Sequence, residues 1–119
     1  MLNKINRVTK AKQFAVIFRK TKPIYTDNFV FRFYKGRNQE VVKFGFVISN
    51  KIEKCAAKRN LIKRQMRSIA RDLISGVEKG YDVVVVVKSL PKDLPFNSIK
   101  MQFINAIKKN TFFNEKNTN

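Results

Sequence analysis

The sequence predicts a single α+β domain whose elements follow the order α-β-β-α-β-α. Three observations predict this class. Three segments carry apolar residues at the three-and-four spacing of helices, and three others carry them at the alternating or continuous spacing of strands. A length of 119 residues with 44% hydrophobic content suits one domain with one modest core. We therefore expect a small mixed sheet packed against helices, a core over residues 7–109 and a polar tail over residues 111–119.

The N-terminal half predicts one helix and two strands. A helix is expected over residues 10–20, and its apolar face consists of Ala11, Phe14, Ile17 and Phe18. Residues 24–34 are rich in aromatic and β-branched types, and residues 42–49 alternate, so both segments predict strands. The first strand has Phe29, Phe31 and Phe33 on one face and Val30, Arg32 and Tyr34 on the other. A turn-like segment, residues 35–39, joins the two strands and predicts a hairpin.

The C-terminal half predicts a helix, a buried strand and a second helix. The first helix is expected over residues 56–75, ended by Gly76 in the left-handed conformation that helix C-termini often use. Residues 83–87 are all valine, as expected of a central strand that is covered on both faces. The last helix is expected to begin at Asn97 or Ser98. Its apolar face consists of Ile99, Phe103, Ala106 and Ile107.

The net charge predicts the kind of partner. The chain has 26 Lys and Arg residues against 8 Asp and Glu residues, which gives a net charge of +18. A protein with this charge requires a polyanion. No apolar run approaches the ~20 residues of a membrane-spanning helix, and the N-terminus lacks the apolar segment of a secretory signal. We therefore expect a cytoplasmic protein that binds nucleic acid and not a membrane.

The residue types argue against catalysis by the protein alone. The chain has no histidine and one cysteine, Cys55, so a zinc site built from these ligands and a disulfide within the chain are excluded. The eight acidic residues are scattered along the sequence, so no local pair of catalytic carboxylates is visible. An autonomous metal-dependent nuclease stays an alternative, but it requires distant acids to converge around a cation.

The predicted helix over residues 56–75 separates apolar from basic residues. Winding at 3.6 residues per turn produces an apolar stripe of Ile62, Met66, Ile69 and Leu73, which should face the core. An arc of about 140° on the same winding contains Arg59, Asn60, Lys63, Arg64, Arg67 and Arg71. Charged helix faces are usually just solvated, but they usually mix signs, and this arc contains no acid. We therefore predict that the arc binds phosphates, which arginine can hold through two hydrogen bonds.

Two linked segments resemble the bacterial ribonuclease P protein family. The segment Lys58-Arg59-Asn60-Leu61-Ile62-Lys63-Arg64 is similar to the family's Arg-Asn-Arg-x-x-Lys-Arg helix, with Leu61 in place of the second arginine. The strand at residues 44–51 is similar to the family's strand ending in Ser-Lys-Lys, with Asn50 in place of one lysine. The order and spacing of the other elements agree with the family over residues 7–109.

The resemblance implies a subunit of a ribonucleoprotein enzyme. In this family the RNA subunit, with Mg²⁺ that it mainly holds itself, removes the 5′ leader from precursor tRNA. The expected partners are therefore this catalytic RNA and precursor tRNA, with no DNA. The resemblance also implies a ribosomal-protein-S5-domain-2-like fold with a left-handed β-α-β crossover, whereas general topology rules would predict a right-handed one.

The resemblance also assigns residues to two surfaces. The residues that should contact the catalytic RNA are Ser49, Lys51, Lys58, Arg59, Asn60, Lys63, Arg64, Arg67 and Arg71. A cleft between the first helix and the sheet should receive the single-stranded leader, and its residues here are Phe14, Phe18, Arg32 and Tyr34. Aromatic rings can stack on unpaired bases without reading much sequence. Two alternatives stay open: both phenylalanines could be core residues of the helix, and the chain could be a ribosomal or other structural RNA-binding protein.

Overall fold

The structure is a computed structural model that describes residues 6–8, 11–36, 41–77, 79–90 and 94–117. Within these residues the helices are α1 (Ala11–Lys20), α2 (Ala56–Leu73) and α3 (Phe96–Asn117), and the strands are β1 (Ile24–Tyr25), β2 (Phe29–Lys35), β3 (Lys43–Val47) and β4 (Tyr81–Val87). The predicted α+β class with a small mixed sheet is confirmed.

The valine strand β4 lies inside the sheet, whose strand order is β1-β2-β4-β3. Strand β2 is antiparallel to β1 and to β4, whereas β3 is parallel to β4. The predicted hairpin between residues 24–34 and residues 42–49 is wrong, because β4 lies between β2 and β3. A strand that is apolar throughout can be covered on both faces, and the interior of the sheet is where that occurs. The unit β3-α2-β4 joins two parallel strands through a helix, and the left hand of this crossover stays a prediction from the resemblance.

The segment predicted as one strand, residues 24–34, forms two strands. A turn at Asp27 and Asn28 separates β1 from β2, and the backbone N–H of Thr26 donates across it to the carbonyl oxygen of Phe29 at 2.9 Å. Asp and Asn favour turns because their side chains compete for backbone hydrogen bonds. The aromatic residues on either side masked this local signal in the sequence.

Helix α2 ends differently from its prediction. Its α-helical turns stop at Leu73, and a 3-10 turn follows at Ile74–Gly76. Gly76 was predicted to adopt the left-handed conformation, but it does not. Among the described glycines it is Gly80 that has a positive φ, of 90°. The conformational freedom of glycine is therefore used in the turn that enters β4 and not at the end of the helix.

The other two helices differ from their predictions at their ends. Helix α1 begins at Ala11, and Lys10, where we expected it to begin, lies outside the described residues. Helix α3 begins at Phe96 and continues to Asn117, where we expected a tail from residue 111. No helix in the described ranges is long and apolar enough to cross a membrane.

The main core lies between one face of the sheet and the helices α2 and α3. The ring centroid of Phe103 in α3 lies 5.8, 5.0 and 6.4 Å from those of Phe29, Phe31 and Phe46. The fully buried residues that the helices contribute are Met66, Ile69, Ala70, Ile99, Phe103 and Ala106. The apolar faces predicted for the second and third helices therefore do face the core.

Helix α1 covers the opposite face of the sheet, where it contacts β2 and β4. Ile17 is buried there, and so is Val84 of β4. Next to α1, the backbone N–H of Val8 donates to the carbonyl oxygen of Phe44 at 2.8 Å, so the chain before α1 runs along the edge of β3. Strand β4 is thus covered on both faces, as its composition predicts.

Candidate RNA-binding surfaces

The basic residues of α2 form one surface, the basic face, which consists of Lys58, Arg59, Asn60, Lys63, Arg64, Arg67 and Arg71. On the other side of the helix, Met66 and Ile69 are fully buried against the sheet. This burial directs the basic face away from the core, where Asn60, Arg64 and Arg71 are exposed. The helix carries six basic side chains and one acidic one, and its first turn contains no acid. The basic face is therefore a site of concentrated positive charge.

Arg59 ties the loop before α2 to the helix. Its Nη1 atom donates to the carbonyl oxygens of Glu53 at 2.7 Å and Lys54 at 3.0 Å. Within the loop, the carbonyl oxygen of Ser49 accepts a hydrogen bond from the backbone N–H of Glu53 at 3.2 Å. Ser49 and Lys51 are exposed in this loop. The structure thus brings the predicted loop residues and the N-terminal end of the basic face together, and it gives Arg59 a structural role as well.

The residues of the basic face differ in how accessible they are. Arg67 is half-buried, and its Nε atom is buried without a hydrogen-bond partner among the described residues. The ammonium of Lys58 lies 3.9 Å from a carboxylate oxygen of Glu53, a surface ion pair that contributes little to stability. Arg64 and Arg71, by contrast, are exposed. These two arginines are the best positions at which to remove charge without disturbing the protein.

The two phenylalanines of the predicted cleft have different environments. A Cβ atom added to Gly45 of β3 would lie 2.7 Å from the Cε1 and Cζ atoms of Phe14, so this ring rests directly on the strand backbone. Phe14 is half-buried, whereas Phe18, one turn later, is 38% exposed. The alternative that both are core residues does not describe Phe18, whose ring is exposed, and Phe14 packs against β3 without being fully buried.

Arg32 links β2 to the C-terminal end of α1. Its Nη1 atom donates to the carbonyl oxygen of Thr21 at 2.7 Å and to that of Phe18 at 3.3 Å. Its Cζ atom lies 5.3 Å from the centroid of the Phe18 ring. A cation is stabilised here because the last carbonyl groups of a helix carry partial negative charge. The guanidinium is thus held over the ring of Phe18 at the C-terminal end of α1.

The strand register places two residues beside Tyr34 that the sequence did not reveal. Tyr34 of β2 lies opposite Asp82 of β4, and Asp82 lies beside Lys43 of β3. Residues opposite each other on adjacent strands have their side chains on the same face, so the three form a row on the face that α1 covers. Asp82 is buried, and Lys43 and Tyr34 are half-buried. No sequence signal reveals this row, because it depends on which strands are neighbours.

The two surfaces lie on opposite sides of the sheet and differ in chemistry. The basic face offers guanidinium groups, each of which can hold a phosphate through two hydrogen bonds. The cleft offers an exposed ring beside a fixed cation, an arrangement that suits an unpaired base and its phosphate. Among the residues that the structure describes, no group of three or more Cys, Asp or Glu residues lies close enough together to hold a metal ion.

These features define a small, strongly basic α+β protein with two separate surfaces suited to nucleic acid. The family model described as Ribonuclease P matches residues 2–111. The chain therefore belongs to the ribonuclease P protein family, and it is a protein component of a ribonucleoprotein endoribonuclease. Membership implies a role in processing the 5′ end of tRNA and a partnership with ribonuclease P RNA.

Relatives and solved structures agree with this membership. The ribonuclease P protein component of Caldanaerobacter subterraneus subsp. tengcongensis is 28% identical over 116 residues, which cover 98% of each chain. The one from Phytoplasma australiense is 31% identical over 94 residues, which cover 79% of this chain and 81% of the relative. A mutant of the Staphylococcus aureus RNase P protein superposes with a TM-score of 0.81 at 23% identity, covering 91% of this chain and 90% of the other. The RNase P protein from Thermotoga maritima superposes with a TM-score of 0.74 at 26% identity, covering 87% of this chain and 96% of the other. The predicted family is thus confirmed.

Proposed function

We propose that this chain helps ribonuclease P to remove the 5′ leader from precursor tRNA by binding two RNA elements at once. The basic face binds the catalytic RNA, and the cleft binds the single-stranded leader. The observation that carries the proposal is that these surfaces lie on opposite faces of one sheet, α2 against the core face and α1 against the other. A thin protein with a different surface on each side can bridge the catalytic RNA and its substrate.

The exposed arginines support the assignment of the basic face to a structured RNA. A folded RNA presents many phosphates at fixed positions, and the rigid helix α2 holds its guanidinium groups at fixed spacing. Leu61, which replaces an arginine of the family pattern, is 48% exposed. It is therefore an apolar gap beside the charged residues, and it should weaken contact with the RNA without removing the basic face.

The contrast between Phe18 and Phe14 supports the assignment of the cleft to an unpaired strand. The exposed ring of Phe18 can stack on any base, and the neighbouring guanidinium of Arg32 can attract the phosphate that follows. Such contacts depend little on base identity. They suit a leader whose sequence varies among tRNA precursors.

We assign hydrolysis to the RNA subunit and its Mg²⁺ ions. Metal-assisted hydrolysis of a phosphodiester requires ligands that hold the ion against the reacting phosphate. The chain has no histidine, and the residues that the structure describes provide no cluster of carboxylates, so those residues do not fit such a site. Its net charge of +18 lowers the repulsion between RNA phosphates instead. We therefore expect the protein to reduce the Mg²⁺ concentration that cleavage requires.

The test is reconstitution of the holoenzyme. The cognate catalytic RNA and a precursor tRNA with a 5′ extension are mixed at limiting Mg²⁺, and the rate of leader removal is measured with and without protein. The protein should raise the rate. An unchanged rate would contradict the proposal, and cleavage by the protein in the absence of RNA would contradict the assignment of catalysis to RNA.

Variants then separate the two surfaces. Arg64→Ala should weaken only the binding of the protein to the catalytic RNA. Tyr34→Ala should instead reduce the dependence of precursor affinity on leader length. Arg59→Ala should also weaken RNA binding, but its hydrogen bonds to Glu53 and Lys54 mean that part of its effect comes from the loop. If Arg64→Ala altered only the leader dependence, the assignment of the two surfaces would be wrong.

A further inference from the structure

A recess lies at the β1 edge of the sheet, outside both surfaces described above. It is formed by the β1–β2 turn and the outer side of α3, has a volume of about 650 Å³, and its walls include Tyr25, Asp27, Gln102, Asn105, Lys108 and Lys109. Strand β1 and strand β3 are at opposite edges of the sheet. The β1–α3 recess is therefore separate from the loop between β3 and α2, which carries Ser49 and Lys51.

The floor of the β1–α3 recess is built by a buried amide. Gln102 is 8% exposed, and its Oε1 atom accepts hydrogen bonds from the hydroxyl of Thr26 at 2.7 Å and the backbone N–H of Asn28 at 2.9 Å. Its Nε2 atom donates to Oδ1 of Asn28 at 2.8 Å. These bonds join α3 to the β1–β2 turn. The walls of the recess are thus fixed relative to each other before any ligand binds, which reduces the entropy lost on binding.

An exposed aromatic ring forms one wall of the β1–α3 recess. Tyr25 is 59% exposed, so the protein leaves most of it uncovered. The ammonium of Lys88 lies 5.5 Å from the ring centroid and also donates to the carbonyl oxygen of Thr26 at 3.2 Å. A cation over one face of a ring orients that ring and leaves the opposite face for a flat partner. The wall is therefore a pre-positioned stacking surface.

The charges around the β1–α3 recess are unequal. Lys88, Lys108 and Lys109 contribute three exposed cations, and Asp27 contributes one carboxylate in the turn next to Tyr25. An anionic group entering the recess is attracted to the lysines of α3 and repelled from the turn. A ligand that suits this distribution has a flat uncharged part near Tyr25 and an anionic part near α3.

We propose that the β1–α3 recess binds an unpaired nucleotide of an RNA chain, with its base stacked on Tyr25 and its phosphates held by Lys108 and Lys109. A nucleotide combines the flat part and the anionic part in one ligand, and stacking on an aromatic ring requires a base that is not paired. This inference extends the proposed function, on which the choice of RNA as partner rests, by a third binding site. The nucleotide can come from the catalytic RNA or from the precursor tRNA.

Direct binding is tested with the full chain, labelled with ¹⁵N, and pentaadenylate as probe. The amide signals of Tyr25 and Gln102 report the recess, and that of Phe18 reports the cleft. Tyr25→Leu should weaken binding measured at the recess by about 5- to 100-fold, the effect of losing one base–aromatic stack, and Tyr25→Phe should restore it. Recess signals that stay unchanged while the cleft signal shifts would overturn the inference, and so would equal binding by Tyr25→Leu and the original chain.

The lysines are tested against a charge reversal at the other end of β4, and the two effects are compared per unit of charge changed. Lys108→Glu combined with Lys109→Glu should make the salt dependence at the recess shallower by about 0.7 in log–log slope for each phosphate that the lysines no longer neutralise. Lys79→Glu is the control, because Lys79 is exposed and precedes β4 whereas Lys88 follows it, so the length of the strand, about 20 Å at 3.3 Å per residue, lies between them. The loss of affinity is divided by the number of charges changed in each variant. If this value were as large for Lys79→Glu as for the α3 variant, the effect would be one of total charge, and the proposed phosphate site would be refuted.

Cross-linking in the reconstituted holoenzyme identifies the source of the nucleotide. The photoreactive nucleoside 4-thiouridine is placed either in the catalytic RNA or in the precursor tRNA, and the protein peptides attached after irradiation are sequenced. A cross-link to the peptide containing Tyr25 from either RNA supports the inference and names its source, and no such cross-link from either would refute it. Failure of the proposed function would be a different result. In that case the protein would not stimulate leader removal, but pentaadenylate would still shift the amide signals of the recess.

Discussion

Removal of two exposed charges from the basic face should weaken RNA binding by an amount that follows from the number of phosphates released. Arg64 and Arg71 are exposed and seven residues apart on α2, which is about 10.5 Å along the helix axis at 1.5 Å per residue. They can therefore contact different phosphates. Each neutralised phosphate contributes about 0.7 to 0.9 to the log–log slope of affinity against salt concentration. The variant with both Arg64→Gln and Arg71→Gln should thus lose about 1.4 to 1.8 from this slope.

The slope also predicts the loss of affinity. The counterion contribution vanishes near 1 M salt, so at 0.1 M salt the double variant should bind the catalytic RNA about 25- to 60-fold more weakly than the original chain. The fold should be unaffected, because surface substitutions usually change the free energy of unfolding by less than about 0.5 kcal/mol. Removing like charges from one helix is, if anything, slightly stabilising.

The assay is fluorescence anisotropy of labelled catalytic RNA at several KCl concentrations and constant Mg²⁺. A control with the same change of net charge combines Lys12→Gln and Lys79→Gln, which alter exposed lysines outside α2. Thermal unfolding followed by circular dichroism checks that both variants are folded. If the double arginine variant had the same slope as the lysine control, total charge and not the basic face would determine RNA binding, and the reasoning would be refuted.

Three further predictions concern packing and the cleft. Phe103→Ala should lower the free energy of unfolding by about 3–5 kcal/mol, because the ring of Phe103 is the centre of the aromatic core. Urea unfolding measures this change, and a decrease below about 1 kcal/mol would contradict the central position of the ring. Gly45→Ala should cost about 1–3 kcal/mol in the same measurement, because the added Cβ displaces the ring of Phe14, and an unchanged stability would contradict that packing. Phe18→Ala should reduce the affinity gained from a leader by about 5- to 100-fold with little change in stability, as measured with precursors that have and lack a leader. An equal reduction for both precursors would place Phe18 outside the leader-binding surface.

The buried faces of α2 and α3 were predictable because the signals that define them are local, whereas on the predicted apolar face of α1 Ile17 is buried but Ala11 and Phe18 are exposed. Met66 and Ile69 lie on the core side of α2, and Arg64 and Arg71 lie on its exposed side, as a simple helical winding predicts. Apart from Lys58, which lies outside the arc, the basic face follows from that winding, since a helix fixes the direction of each side chain from the sequence. The structure therefore agrees with the winding, and RNA binding by these residues stays a prediction.

The sheet was less predictable because strand pairing is not local. The sequence joins residues 24–34 to residues 42–49 through a short segment, and this favours a hairpin. The structure places β4 between β2 and β3, and nothing in the alternation of either strand specifies that order. The β1–β2 turn was missed for a related reason: the buried Asn28 is held by Gln102, a residue 74 positions away in the sequence.

The position of β4 also determines what the cleft can do. With β4 between them, β2 and β3 are not neighbours, so Tyr34 and Lys43 lie on either side of Asp82. The face beneath α1 is wider by one strand, and the cation of Lys43 is one strand further from the ring of Tyr34. An extended strand of RNA needs such width, because its successive bases and phosphates must meet different side chains. The same valine strand that holds the core together therefore also sets the width of the proposed leader-binding cleft.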